Sequence, residues 1–443
     1  MKNRKNIILG TLIIIAIMLG IALISNITRT RDSLDKIIYN AKVEAEKALI
    51  SSGEMIYTKD IGAISNRQLS DANLPENTNS TQQGTVVAPK ENWNIETVTG
   101  VSVGNGDTVP VPIGFYYVGG DLNTGVIISD NEEDQYDGTT DKTTWEYTTQ
   151  LKGNQFVWIP CTEEEYKKSE VWNGIIQKTT GTTTTTGTLC HAGWDKTTYT
   201  SELPQIRKYG GFYVARYEAG LAKTITEFTA TQQQTDLNQV YNLEGIPQAK
   251  AGVVPWMLID WDHSQTNAKS MYNTASVSSG LITGTQWDVM LNKMVERGAI
   301  ENSDLTSSVS WGNYSNNSIE YTGRVARAYG SGGRWYLAAF GGNVEGKTSS
   351  YSSGNGDLLT TGASRQTEKY HIYDVAGNLW EWTEEISLWK LGTANETNTQ
   401  CHVLRSSCFT SASGIYPPCY RMGTCMNSLT SLDIGFRVVL YLK

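Results

Sequence analysis

The strongest hydrophobic pattern lies at the start of the chain. Residues 7–24 carry no charge and are almost wholly apolar, a run at the lower edge of the length that crosses a bilayer as a helix. Lys2, Arg4 and Lys5 precede it, which favours a cytoplasmic N-terminus, while Arg29 and Arg31 follow it and reduce the asymmetry. A cleaved signal peptide is the alternative, but Ser25-Asn26 lacks the small-residue pattern of a cleavage site. Past Asp32, the residues Leu34, Ile37, Ile38, Ala41, Ala45, Ala48 and Leu49 recur at helical spacing, with Glu44, Glu46 and Lys47 facing away. The expectation is a membrane anchor over 1–27 and a helical stalk over 28–58. That stalk is either a simple spacer or a packing face for another helix.

Residues 59–108 are rich in Asn, Ser, Thr, Gln and Gly, which reads as a linker broken only by a strand-like run at 85–88. From Val109 the pattern changes. The runs 111–118, 156–159, 211–217 and 434–442 have the β-branched and aromatic content of strands. The Thr-rich stretch 179–188 reads as an exposed low-complexity loop. The segment 285–297 is the clearest helix, with Trp287, Met290, Leu291 and Met294 on one face. Strands dominate and long polar loops separate them, so 109–443 is expected to be an α+β domain with much irregular loop structure.

Composition narrows the function. Charged residues make up 18% of the chain against roughly 25% in ordinary globular domains, and 13 Trp and 23 Tyr supply core and contact surface. The net charge of −9 argues against binding nucleic acid, which needs clustered Lys and Arg on the phosphates. The six cysteines form no CxxC pair and no His stands at zinc-ligand spacing from them. Export would permit disulfides, but the spacing fixes no pairing. Gly330-Ser331-Gly332-Gly333-Arg334 lacks the Lys-Ser/Thr of a phosphate loop and reads as a turn. No carboxylate pair stands out for acid–base work.

The most specific segment is His371-Ile372-Tyr373-Asp374-Val375-Ala376-Gly377-Asn378-Leu379-Trp380-Glu381-Trp382-Thr383. It resembles the G-N-x-W-E-W signature of the formylglycine-generating enzyme (sulfatase-modifying factor) family. Gly210–Glu218, Gly284–Asp288 and Gly435-Phe436-Arg437 resemble three further family segments in the same order. The likeness covers roughly residues 150–443 and implies a C-type-lectin-like fold, in which a compact core supports long loops. It also implies a Ca²⁺ site at the positions of Asp374, Gly377, Leu379 and Glu381, whose oxygen-only donors suit that ion. A buried ion pair or hydrogen bond at Glu381 is the competing expectation.

Two departures bear on activity. The family's catalytic cysteines fall at Ser411 and Tyr416, with Cys408 and Cys419 nearby but out of register. The three-His iron site of the related sulfoxide synthases has no counterpart among His191, His263, His371 and His402. The remaining clue is residues 405–437, where Arg405, Tyr420, Arg421, Gly435, Phe436 and Arg437 keep the family frame around an aperiodic mixture of Ser, Thr, Gly, Cys and apolar residues. This resembles the variable segment of proteins diversified by retroelements, in which adenine-directed mutation of Asn codons yields such an assortment.

The expected function is therefore that of a non-catalytic binding protein, single-pass in the cell membrane with its C-terminal domain outside the cytoplasm. Its ligand, a protein or a carbohydrate, is expected at Phe409, Ser411, Ile415, Tyr416, Met422, Thr424, Asn427, Thr430 and Leu432, pointing outward together. Two alternatives stay open: a formylglycine-generating-type oxidase acting on exported proteins, and a minor pilin or structural surface subunit. The last rests on the stalk and on Gly10-Thr11-Leu12-Ile13, which resembles a prepilin leader but has Ile15 in place of its Glu.

Overall fold

Strands whose every residue is apolar can be covered on both faces, and the sheet that organises this chain is of that kind. The computed structural model describes residues 82–167, 201–221, 242–306, 311–315, 317, 358–389, 399–411, 416–424 and 428–443. Short strands at 56–57, 64–65, 175–180, 183–188, 319–321, 328–331, 334–337 and 347–349 are also described. The expected anchor (1–27) and all of the expected stalk except Ile56–Tyr57 lie outside these residues. Among the described residues, no helix is long and apolar enough to cross a membrane. The chain divides into two units, 1–79 and 80–443. In the first, the described residues form one antiparallel pair, Ile56–Tyr57 with Ile64–Ser65.

In the second unit the elements are β1 (Val86–Val87), β2 (Val98–Gly104), β3 (Asp107–Pro112), β4 (Tyr116–Gly119), β5 (Val126–Ser129), β6 (Gln155–Pro160), α1 (Leu203–Tyr209), β7 (Gly211–Ala215), α2 (Trp261–Ser270), β8 (Val277–Leu281), α3 (Gly284–Glu296), α4 (Asn302–Thr306), β9 (Trp380–Trp389), β10 (Thr399–Arg405), β11 (Arg421–Thr424), β12 (Ile434–Phe436) and β13 (Val438–Leu442). The central sheet is antiparallel with order β8-β13-β7-β6-β5-β4. Its residues alternate between two cores. Ile128, Phe156, Trp158, Tyr213, Val438 and Leu440 face one, which also holds the β1-β2-β3 sheet and the apolar side of β9-β12. Ile127, Val157, Ile159, Phe212, Val214 and Val439 face the other, filled by Trp287, Met290, Leu291 and Met294 of α3. The domain is mostly sheet with few helices, in keeping with a lectin-like β-rich architecture.

Four expectations change. Residues from 82 onward are not linker: β2 and β3 pair over Val98–Pro112, and Val98, Val101, Val103, Val109 and Val111 enter the main core. Gly, Ser and Thr between those valines hid the period of two. The run 111–118 is the end of one strand and the start of another, split at Ile113–Phe115. The Thr-rich stretch is a hairpin, with Thr183–Thr188 paired to Ile175–Thr180. The C-terminal run is also two strands: β12 runs parallel to β9, whereas β13 joins the central sheet, and Arg437 marks the change. The expected helix is α3, and its start is fixed by a capping box in which the Thr283 hydroxyl accepts from Gln286 N–H (3.1 Å) and the Gln286 side chain accepts from Thr283 N–H (2.9 Å).

Candidate functional site

The frame of the 405–437 segment is electrostatic. The four-stranded sheet has order β11-β10-β9-β12, and its register sets Arg421, Arg405 and Glu381 in a row across three strands. With a side-chain period of two, Met422, Leu404, Trp382 and Trp380 take the opposite face. On the charged face two guanidiniums meet two carboxylates out of water. Arg405 donates to Asp288 of α3 (2.7 Å) and to Glu385 (3.2 Å), while Arg421 donates to Glu385 (2.9 Å) and to Asp288. All four side chains are essentially inaccessible. Arg405 also donates to the carbonyls of Tyr420 (3.2 Å) and Cys419 (3.4 Å), so the same network holds the backbone that leads into β11. The tetrad was half legible: Arg405 and Arg421 stood out as frame positions, whereas their acidic partners come from elsewhere in the chain.

The signature segment supplies a second anchor. Gly377 has φ of +75°, and a Cβ there would lie 2.1 Å from the Asn313 carbonyl oxygen, so only glycine fits. Asn378 follows at φ +62°. Its side chain donates to Glu218 (2.5 Å) and accepts from Asn313 (2.9 Å) and Leu359 N–H (3.0 Å), and its carbonyl accepts from Phe409 N–H (2.9 Å). Arg437 makes a two-point pair with Glu381 (2.7 and 3.0 Å) and donates to the Tyr373 carbonyl (2.9 Å). Burial pushes the Glu381 carboxyl up, against the pull of Arg437. Glu218 rises well above the usual range, first through burial and then through the charges of Asp374 and Glu381.

These carboxylates fit Ca²⁺ poorly. Both Glu381 oxygens are taken by Arg437. Those of Asp374 accept from Gly362 N–H (2.9 Å) and the Thr367 hydroxyl (2.8 Å). Among the described residues, no group of three or more His, Cys, Asp or Glu is placed to hold a metal ion. Of the two expectations for Glu381, the geometry is that of the ion pair.

On the uncharged face, Trp380, Tyr416 and Tyr420 form an aromatic triad. Centroid separations are 5.3 Å for Trp380–Tyr416, 4.9 Å for Tyr416–Tyr420 and 6.0 Å for Trp380–Tyr420. Trp380 is buried, whereas the two tyrosines are half-buried. Met422 and Leu429 pack beside the same core, also half-buried. Of the residues expected to point outward, Ser411, Tyr416, Met422, Thr424 and Thr430 are half-buried. Phe409 and Leu432 are instead core residues, 0% and 4% exposed. The Phe409 N–H is held by the Asn378 carbonyl, and Leu432 lies between Ser431 and Asp433, whose carbonyls accept from Leu258 N–H (2.9 Å) and Trp380 N–H (2.8 Å), so both positions are tied to the core. Ile415 and Asn427 lie outside the described residues.

Two features of this face were not legible in the sequence. Tyr420, read as frame, presents its ring beside Tyr416. His402, opposite Thr424 in the β10–β11 ladder, stacks on Trp261 of α2 at a centroid distance of 3.5 Å. Burial lowers the His402 pKa to about 4. Among the described residues, Cys161, Cys408 and Cys419 are buried free thiols. Cys408 is buried against Thr410, Ser411 and Asp433, its thiol pushed up to about 12 by burial, and Cys419 donates to the Leu305 carbonyl (3.0 Å) in the other core.

Neither a protein-family model nor a curated protein matches the sequence. Solved structures that are similar to it include the following two. One is the crystal structure of CarF, at 14% identity over 53% of this chain and 87% of CarF, with a TM-score of 0.28. The other is the Major Tropism Determinant M1 variant, at 13% identity over 78% of this chain and 81% of that one, with a TM-score of 0.23. At these identities and TM-scores neither likeness bears on fold or activity.

Proposed function

We propose that this chain is a non-catalytic binding protein of the cell surface. The N-terminal apolar run anchors it, and the face around Trp380, Tyr416 and Tyr420 takes a protein or carbohydrate ligand. The observation that carries this reading is the division of labour within 405–437. Arg405, Arg421 and Arg437 are buried in ion pairs and fix the backbone. Tyr416, Met422, Thr424 and Thr430 stay half-buried, with Tyr416 and Met422 beside one aromatic core. Tyr rings give large contact area at low entropic cost, and Ser and Thr give adaptable hydrogen bonds, the chemistry of a binding surface. A frame that is independent of these side chains tolerates their exchange, as diversification by a retroelement requires. Cys408 and Cys419 lie in separate cores, which counts against the oxidase alternative. The test is the neighbouring DNA together with a binding assay. A reverse-transcriptase gene and a near-copy of the codons for 405–437 support the reading, and pilus-assembly genes in their place support the structural subunit.

A further inference from the structure

Met422 and Thr424 of the ligand face lie on β11, the end strand of the order β11-β10-β9-β12, so its ladder bonds run to β10. A short edge strand has few such bonds to keep it in register. One end of the β10–β11 ladder is fixed by the Arg405–Arg421 rung, which the buried tetrad holds. The other end is the His402–Thr424 rung, and the four successive pairs between these ends are regular, without a bulge. The residue before His402 is Cys401, which lies on β10 and pairs with Ser387 of β9 on its other side. The residue after Thr424 is Cys425, which lies outside the described residues. One further rung of the same register pairs the two cysteines.

We propose that Cys401 and Cys425 form a cross-strand disulfide that closes this end of the ladder. Opposite residues of an antiparallel pair have Cα atoms about 4.5–5.5 Å apart, inside the roughly 4.4–6.8 Å span that disulfides bridge. Opposite residues also share a face, and the period of two sets this rung in line with Val403–Gly423 and Arg405–Arg421. The described cysteines are poor competitors, since Cys161, Cys408 and Cys419 are buried free thiols. The bond forms by exchange with a small-molecule or protein disulfide. One cysteine thiolate attacks that disulfide and releases a thiol, and the second thiolate displaces the other half. Two protons and two electrons leave the cysteines, and the oxidant's S–S bond becomes two thiols. A supply of such an oxidant rests on the reading of the chain as exported. With the bond in place, Met422 and Thr424 lie between two clamps, the tetrad at one end of β11 and the disulfide at the other. The strand then keeps its register whichever side chains occupy the ligand face.

The test is a tryptic map of the full chain, purified in reductant and then equilibrated in mixtures of reduced and oxidised glutathione. Remaining thiols are blocked with N-ethylmaleimide, and digestion is done without reductant. Cleavage after Lys390, Arg405, Arg421 and Arg437 sorts Cys401 into 391–405, Cys425 into 422–437, and Cys408 with Cys419 into 406–421. The expected product is 391–405 joined to 422–437, lighter by two hydrogens than the two thiol peptides together. Cys401→Ser and Cys425→Ser should each abolish it. Each should also lower the melting temperature of the oxidised chain by roughly 5–10 °C, and that of the reduced chain by far less. If a variant fails to fold, the map of the unaltered chain decides by itself. Both cysteines blocked or glutathionylated singly in oxidised glutathione alone, or either one joined to a different cysteine, overturns the proposal. No ligand enters the measurement, so its failure leaves the ligand face standing, and a failure of capture leaves the disulfide standing.

Discussion

Asp288→Asn is the sharpest perturbation of the frame. Asp288 accepts from both Arg405 and Arg421, and its side chain is fully buried. Substitution leaves two guanidiniums sharing the single carboxylate of Glu385. Removing one partner from a buried ion pair costs about 3–5 kcal/mol, because an uncompensated charge stays behind. Against a domain stability of about 5–15 kcal/mol, that is a large fraction. Arg421→Met alone leaves two carboxylates facing Arg405 and should cost a similar amount. The double variant restores one cation to one carboxylate. It should therefore be less destabilised than the sum of the singles, by at least about 1 kcal/mol, as expected of residues in one network. Urea unfolding at pH 7, followed by tryptophan fluorescence, measures all three. Single variants that cost less than about 1 kcal/mol, or a double variant equal to the sum, would refute the view that this tetrad holds the segment.

Three other outcomes are expected. Chelation should leave the melting temperature unchanged, since Glu381 is committed to Arg437; a fall reversed by Ca²⁺ would restore the calcium reading. His402 has a folded pKa near 4, below its unfolded value, so the folded state resists its protonation and stability is lost as pH falls from about 6.5 toward 4. Between pH 7 and 5 that amounts to roughly 1 kcal/mol after allowance for partial solvation, and His402→Gln should flatten this part of the profile. Gly377→Ala should cost at least about 3 kcal/mol or prevent folding, because a left-handed residue gains a Cβ against fixed backbone. A mild effect in a thermal melt would mean that the Asn313 strand-like contact yields easily.

Long periodic elements were legible because their burial is one-sided or complete. The stripe of Trp287, Met290, Leu291 and Met294 foretold α3, and 156–159 and 211–217 foretold β6 and β7. The strand pair 98–112 was missed because small polar residues alternate with its valines, and polarity alone reads as linker. The frame arginines were legible as positions to be held, but Asp288 and Glu385 were not legible as their partners. They come from a distant helix and from past the bulge in β9, and only tertiary contact joins them. Phe409 and Leu432 were misplaced for the converse reason. An aperiodic segment carries no mark of which apolar residues turn inward; here Phe409 N–H is held by the Asn378 carbonyl, and the carbonyls on either side of Leu432, those of Ser431 and Asp433, accept from Leu258 and Trp380 N–H.

The central claim is that the half-buried residues of 405–437 bind a ligand while buried ones hold the fold. It is tested most directly by exchanging Tyr416, Met422, Thr424 and Thr430 together for Ser in the full chain. Melting temperature and capture are then measured side by side on protein and glycan arrays, using the targets that the unaltered chain captures. The expected result is a domain that still folds, with stability lowered by about 2–4 kcal/mol because Tyr416 and Met422 lose part of their packing on the core, together with loss of every captured target. Unchanged capture, or a domain that no longer folds, would contradict the account.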